Sequence, residues 1–153
     1  MSAVLRDEPR LSPMREADLA EVLEVENAIY THPWTRGNFA DSLKAGYYCR
    51  TWRAGAELIG YYILLVAAGE AHLLNLSVAA VHQRGGHGSA LLAEAMRMAR
   101  DRGAMHIFLE VRPSNDGAKA LYSRFGFRQV AVRPNYYPAH EGREDALVFT
   151  LAL

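Results

Sequence analysis

The stretch Asn75-Leu76-Ser77-Val78-Ala79-Ala80-Val81-His82-Gln83-Arg84-Gly85-Gly86-His87-Gly88 constrains this chain more than any other. An apolar strand runs into a glycine-rich turn, and an amphipathic helix follows at once. Such a turn aims backbone N–H groups at whatever lies above it, and a helix N-terminus adds about half a positive charge to those donors. Together they form a site for a phosphate-bearing ligand. The turn lacks the Lys-Ser/Thr ending of a nucleotide P-loop. It also lacks the spacing of the dinucleotide fingerprint and the acidic residue that should follow on a second strand. Taken alone, Gly85, Gly86 and Gly88 equally suit a tight strand-to-helix turn with no ligand, so the rest of the chain has to decide.

At 153 residues the chain is long enough for one domain with a substantial core. We expect that domain over residues 10–153, preceded by a flexible leader over residues 1–9. The formal net charge is zero, which argues against non-specific nucleic-acid binding. Charge is nevertheless uneven. Glu16, Asp18, Glu21, Glu24 and Glu26 cluster without a base among them, whereas the C-terminal half is richer in arginine. An acidic helix there reads as a solvated face or as a contact for a basic substrate. The single cysteine, Cys49, excludes an internal disulfide and sits in a strand-like run, as a buried thiol would. No apolar run approaches the ~20 residues of a membrane helix, and the N-terminus has no signal-peptide core. The expectation is a cytoplasmic protein. Six histidines are present, but no cluster has metal-ligand spacing.

Periodicity gives the elements. Leu11 to Met14 reads as a short strand, and Ala17 to Ile29 as a helix. His32-Pro33-Trp34-Thr35 is a turn whose Thr35 caps a helix through Leu43. Tyr47 to Arg53, Leu58 to Ala67 and Ala71 to Val78 read as strands. A helix from Gly86 to Arg102 carries Leu91, Leu92, Ala95, Met96 and Ala99 on one stripe, with Gly103 as its C-terminal cap. His106 to Val111 is a strand, and Asn115 caps a helix that Gly126 ends. Phe127 to Val132 and Ala146 to Leu151 are the closing strands. This order predicts an α/β fold, a mixed sheet with helices on both faces.

That order, with a glycine turn after the fourth strand, resembles the GCN5-related N-acetyltransferase (GNAT) family over nearly the whole chain. Gln83-Arg84-Gly85-Gly86-His87-Gly88 is similar to the family's acetyl-CoA pyrophosphate loop, Gln/Arg-x-x-Gly-x-Gly/Ala, with Gly85 and His87 at its variable positions. Other segments are similar to one branch, bacterial enzymes that acetylate the N-terminal alanine of small-subunit ribosomal protein eighteen. They are Pro33-Trp34, Leu109-Glu110-Val111-Arg112 with Ser114-Asn115, Ala120-Leu121-Tyr122 with Gly126-Phe127, and Asn135-Tyr136-Tyr137-Pro138 with Gly142-Arg143-Glu144-Asp145-Ala146. His32 departs from the apolar residue common before Pro33, and the leader is longer than usual.

The resemblance implies a GNAT-like three-layer α/β/α sandwich around a mixed, mostly antiparallel central sheet. It implies acetyl-CoA as co-substrate, no metal, and the N-terminus of a ribosomal protein as acceptor. Direct nucleic-acid contact and membrane association are not expected, and the chain is expected to be a monomer. Cofactor contacts would come from Leu76, Val78, Gln83, Arg84, Gly85, Gly86, His87, Gly88, Ser89, Asn115 and Tyr122. The backbone of Leu76 to Val78, in a splayed strand, would supply donors to the thioester carbonyl. Pro33, Trp34, Tyr136, Tyr137, Glu144 and Asp145 would line the acceptor's path, the tyrosines as walls of a loop and the acids as anchors. The alternative for that loop is a structural hairpin.

The chemistry asks for little help. A chain N-terminus has a pKa near 8 and a lysine near 10.4, so roughly a tenth of α-amines are already neutral at pH 7. Glu110, at the end of an apolar strand, is the candidate base, directly or through one water; apolar neighbours would make it more basic. Tyr122, about two helical turns beyond Asn115, is the candidate acid toward the thiolate. The competing readings are an edge carboxylate paired with an arginine and a core tyrosine. Two rival functions stay open, a relaxed acetyltransferase acting on other N-termini, lysines or small amines, and a non-catalytic acyl-CoA-binding module.

Overall fold

A computed structural model describes residues 7–153; of the expected leader, residues 1–6 lie outside the described part. Seven strands are present among the described residues: β1 (Arg10–Pro13), β2 (Tyr48–Ala54), β3 (Glu57–Ala67), β4 (Glu70–Val78), β5 (His106–Val111), β6 (Arg128–Pro138) and β7 (Arg143–Ala152). The helices are α1 (Leu19–Ile29), α2 (Arg36–Lys44), α3 (His87–Asp101) and α4 (Asp116–Arg124). The strands form one sheet in the order β1-β2-β3-β4-β5-β7-β6. Every pairing is antiparallel except that of β4 with β5.

Local chemistry explains most of the helices. Thr35 Oγ1 accepts from the Asn38 N–H at 3.2 Å, and Asn38 Oδ1 accepts from the Thr35 N–H at 2.9 Å, which starts α2 with a reciprocal cap. The α3 stripe of Leu91, Leu92, Ala95, Met96 and Ala99 is buried. Gly103, at φ +85°, lets the Ala104 N–H return to the Ala99 carbonyl at 2.9 Å and close the helix. On one face of the sheet, α3 and α4 bury Tyr62, Leu64, Leu73, Ile107 and Leu109. On the other, α1 and α2 bury Cys49, Leu58, Tyr61 and Ile63. The result is three layers. A fully buried side chain such as Leu19, Leu91 or Leu92 contributes about 1.5–3 kcal/mol.

The parallel pair is the irregular place in the sheet. β4 and β5 pair only at Glu70 with His106, Ala71 with Ile107 and His72 with Phe108. Beyond His72 the two strands part, although β4 continues to Val78 and β5 to Val111. The opposite side of β4 carries a bulge: Ile63 pairs with Asn75 and Leu64 with Leu73, so Leu74 is the extra residue. A bulge bends and twists its strand, here just where the fork begins.

Three expectations need correction. The expected loop over 135–146 is a long hairpin: β6 runs to Pro138, β7 starts at Arg143, and only residues 139–142 turn. Pro134 is tolerated because β6 is the sheet edge and its register shifts between Arg133 and Tyr137. The helix expected from Ala17 starts with a 3₁₀ turn, Glu16–Asp18, and becomes α-helical at Leu19. Its acids are not a uniform solvated face. Asp18 and Glu21 hold Arg53 at 2.9 and 3.1 Å, and Glu26 is buried.

Candidate active site

The fork opens into a cleft of about 460 Å³. Its floor is the two parted strands, Leu73 to Leu76 of β4 and Leu109 to Val111 of β5, with Arg112 just beyond. Glu26 of α1 and Tyr30 at its C-cap, with His32 and Trp34 of the following turn, form one wall. Asn115, Ala118 and Tyr122 of α4 and its cap line it from the other face of the sheet. Tyr136, Tyr137 and Pro138 close it from the end of β6. The cleft therefore reaches both faces of the sheet, which an unbroken β-ladder would forbid.

Glu110 lies on the floor, its side chain 7% exposed. Beside the expected apolar neighbours the carboxylate has two polar ones, and one of them is an arginine, the partner that the competing reading named. Oε2 is 2.6 Å from His72 Nε2, and Oε1 is 3.3 Å from Arg133 Nε. His72 was not singled out in the sequence, because nothing in its own surroundings marks it. It meets Glu110 only because His72 pairs with Phe108 and Glu110 follows two residues on, on the same side of β5.

Tyr122 is buried on α4 and borders the cleft. Burial, with the hydroxyls of Tyr30 and Tyr137 nearby, pushes its hydroxyl well above the ordinary tyrosine value. It therefore stays protonated across the neutral range. Asn115 caps α4 through Oδ1, which accepts from the Ala118 N–H at 3.1 Å, so its amide nitrogen remains for the cleft. Asn115 and Tyr122 both reach the cleft, as two helical turns of separation require.

A buried polar network backs the wall. Glu26 Oε2 accepts from the Trp34 N–H at 2.9 Å, and Oε1 from the Tyr61 hydroxyl at 2.6 Å and the Asn75 amide at 3.1 Å. Ser77 Oγ donates to Asn75 Oδ1 at 2.7 Å and lies 2.7 Å from the Tyr30 hydroxyl. Burial lifts the Tyr30 hydroxyl to about 12. Apart from Trp34, none of these residues was singled out as a member of the site. One signal existed: Glu26 falls on the same stripe as Leu19 and Val22, where a carboxylate is out of place unless partnered.

The glycine turn sits at the end of β4, outside the cleft lining. Gly86 is the N-cap of α3 at φ +82°, and Arg84 adopts φ +66°. No side chain caps the helix, and its first bond runs from the Ala90 N–H to the Gly86 carbonyl at 3.1 Å. The N–H groups of His87, Gly88 and Ser89 are thus left without helical partners, the arrangement that takes an anion. A Cβ on Gly88 would lie 3.6 Å from Leu121 and 4.0 Å from Val78, so the turn packs between α4 and the end of β4. Gln83 Nε2 donates to the Val78 carbonyl at 3.1 Å. The His87 ring turns away to accept from Trp52 Nε1 at 3.3 Å.

The hairpin residues divide. Tyr136 and Tyr137 line the cleft and meet edge-on, with centroids 4.8 Å apart. The Arg112 guanidinium stands 4.3 Å over the Tyr137 ring. Glu144 and Asp145 do not line the cleft. Glu144 accepts from Ser114 N at 3.1 Å and Ser114 Oγ at 3.1 Å, and pairs with Arg112 at 3.2 Å. Those bonds, from Ser114 first, hold its carboxyl below the usual range. Asp145 accepts from Asn135 N at 2.9 Å, where Asn135 has φ +52°. Both acids hold the hairpin in shape. Pro33 sits beside Trp34 without lining the cleft, whereas His32 lines it and faces His140 of the hairpin turn, with centroids 5.6 Å apart.

Among the described residues no group of three or more metal-ligating side chains is present, and no helix is long and apolar enough to cross a membrane. Residues 19–127 match the acetyltransferase (GNAT) family. The chain is 34% identical over 143 residues to the ribosomal protein bS18-alanine N-acetyltransferase of Escherichia coli strain K12, covering 94% of this chain and 97% of that one. It is 34% identical over 139 residues to the enzyme of the same name from Haemophilus ducreyi, 90% of this chain and 96% of that one. The crystal structure of the Escherichia coli ribosomal-protein-S18-alanine N-acetyltransferase superposes with a TM-score of 0.87 at 33% identity, over 94% of this chain and 93% of that one. With sequence and fold agreeing across nearly its whole length, the chain belongs to the acetyltransferase (GNAT) family and is an acetyl-CoA-dependent acyltransferase.

Proposed function

We propose that this protein acetylates the α-amine of the N-terminal alanine of ribosomal protein bS18 by direct attack in a ternary complex. The observation that carries the reaction is the fork between β4 and β5. It lets a donor from the α3–α4 face and an acceptor from the α1 face meet beside Glu110. The choice of acceptor rests on the likeness to the bS18-specific enzymes over 94% of the chain.

The residues present fit acetyl-CoA. The uncapped N–H groups of α3 suit its pyrophosphate, and Arg84 and the backbone of Gln83 to Ser89 complete the cradle. Glycine at 86 and 88 lets the phosphates come close to the backbone. Past His72, β4 keeps β3 on one side but has no strand on the side that faced β5, so the backbone from Leu76 to Val78 can take the pantetheine arm there as a strand edge takes a peptide. Acetyl-CoA supplies the thioester at which the amine is acylated.

The chain's own residues do the rest. Trp34, Tyr136 and Tyr137 enclose the acceptor's first residues and keep out water. Glu110 takes the proton that the amine loses, a contribution of ~10²–10⁴ in rate. The β4 backbone N–H groups hold the carbonyl oxygen as it gains charge. Tyr122, kept neutral by its burial, gives a proton to the departing sulfur. Asn115 Nδ2 steadies the donor arm beside it.

Mass spectrometry after incubation with acetyl-CoA tests this. One peptide copies the N-terminus of the host's bS18, and a second carries a blocked α-amine with free lysines. A single acetyl on the first peptide alone, reduced at least 100-fold in Glu110→Gln, is the expected result. Acetylation of the blocked peptide would favour the relaxed lysine-acting reading. No transfer to either peptide, with acetyl-CoA still bound, would overturn the proposal.

A further inference from the structure

Glu110 is a long side chain with free torsions, standing where two strands have just lost each other. A base in that position acts efficiently only if its oxygens are held, since a displacement near 1 Å can cost about a hundredfold in rate. The β5–β7 ladder fixes its backbone through the pair with Val148 but not its carboxylate, and on the other side the last β4–β5 pair is His72 with Phe108. What does reach it is His72, across the first open step of the fork, at 2.6 Å. The imidazole is itself fixed. It stacks on Phe108 at 4.3 Å between centroids with 21° between the planes. Phe108 and Glu110 project from the same side of β5, so the stack sets the ring at the height of the carboxylate.

The two oxygens of Glu110 are not equivalent. Oε2 has the short contact to a ring that is only 20% exposed and does not line the cleft. Oε1 has the longer contact, 3.3 Å, to the half-exposed guanidinium of Arg133. A carboxylate only accepts, so Nε2 carries the hydrogen and donates it. Resting on the reading of Glu110 as base, we propose that His72 is a positioning residue. Its Nε2–H pins Oε2 and presents Oε1 to the acceptor amine, with Arg133 as the partner that gives way. His72 contributes through Glu110 and does not touch the acceptor.

Two substitutions separate this role from packing. His72→Gln keeps an N–H at nearly the same reach but loses the aromatic stack. His72→Phe keeps the stack on Phe108 but loses the donor. Both are compared with Glu110→Gln for kcat, for KM with acetyl-CoA and with peptide, and for the urea midpoint. The expected result is kcat within about threefold of the parent for His72→Gln. His72→Phe should lose 10- to 100-fold in kcat with KM for acetyl-CoA unchanged. A near-normal Phe variant with an impaired Gln variant would assign packing and overturn the proposal. Equal loss in both, or loss in neither, would also overturn it. Full activity in Glu110→Gln would instead remove the base on which His72 acts, so the two failures are told apart.

Discussion

Glu26 receives three hydrogen bonds on a helix stripe whose other members, Leu19 and Val22, are fully buried. Removing the carboxylate leaves the Trp34 N–H, the Tyr61 hydroxyl and the Asn75 amide without an acceptor, and each such group costs about 1–3 kcal/mol when buried. We therefore expect Glu26→Ala to lower stability by about 2–4 kcal/mol, read as a shifted urea midpoint, and Glu26→Gln to lose less. The sequence showed this residue only as one acid among five. Its position on the apolar stripe could have flagged it, but its partners come from β3, β4 and the turn before α2. Glu110 was legible as a carboxylate at a strand end, yet its two partners were not. His72 lies 38 residues away, and the contact exists only because of strand register.

At the scale of elements, helices and short strands were readable because their signals are local. The α2 cap, the α3 stripe and the glycine stops of α3 and α4 all fall within a few residues of what they control. The β6–β7 hairpin was readable only as the alternative to a loop, since Pro134, Pro138 and Gly142 look like loop residues. They are accommodated by an edge position, a register shift and a four-residue turn. Glu144 ties that hairpin to the β5–α4 connection through Ser114 and Arg112. Its carboxyl is held below the usual value, so its stabilising effect is complete above the unfolded-state value, near 4.5, and fades as pH falls through the lower folded value. Parent and Glu144→Gln should thus differ in urea midpoint at pH 7 and converge in acid below the ordinary glutamate range. A difference that persists unchanged into acid would show that the carboxylate is not what holds the hairpin.

For the whole molecule, the fork joins the two helical layers at one cleft, so a ligand bound there should stabilise the entire fold. At a hundredfold excess over Kd, acetyl-CoA should add about 2.7 kcal/mol. For a chain of this size that corresponds to roughly 5–10 °C in Tm, measured by calorimetry. The same addition to a Gly86→Asp variant, with a carboxylate facing the phosphates, should produce a much smaller shift. The sequence by itself determined the helices, most strands, the glycine turn before α3 and the carboxylate and tyrosine on which the proposed reaction rests. Each depends on chemistry within one turn or one strand: periodicity, caps, and glycines at positive φ. The tertiary structure alone decided that β4 and β5 stop pairing at His72, that Glu110 has His72 and Arg133 as partners, and that Glu26 closes a buried network. Those contacts join residues tens of positions apart, and sheet order and register set which side chains meet, information that no local spacing carries.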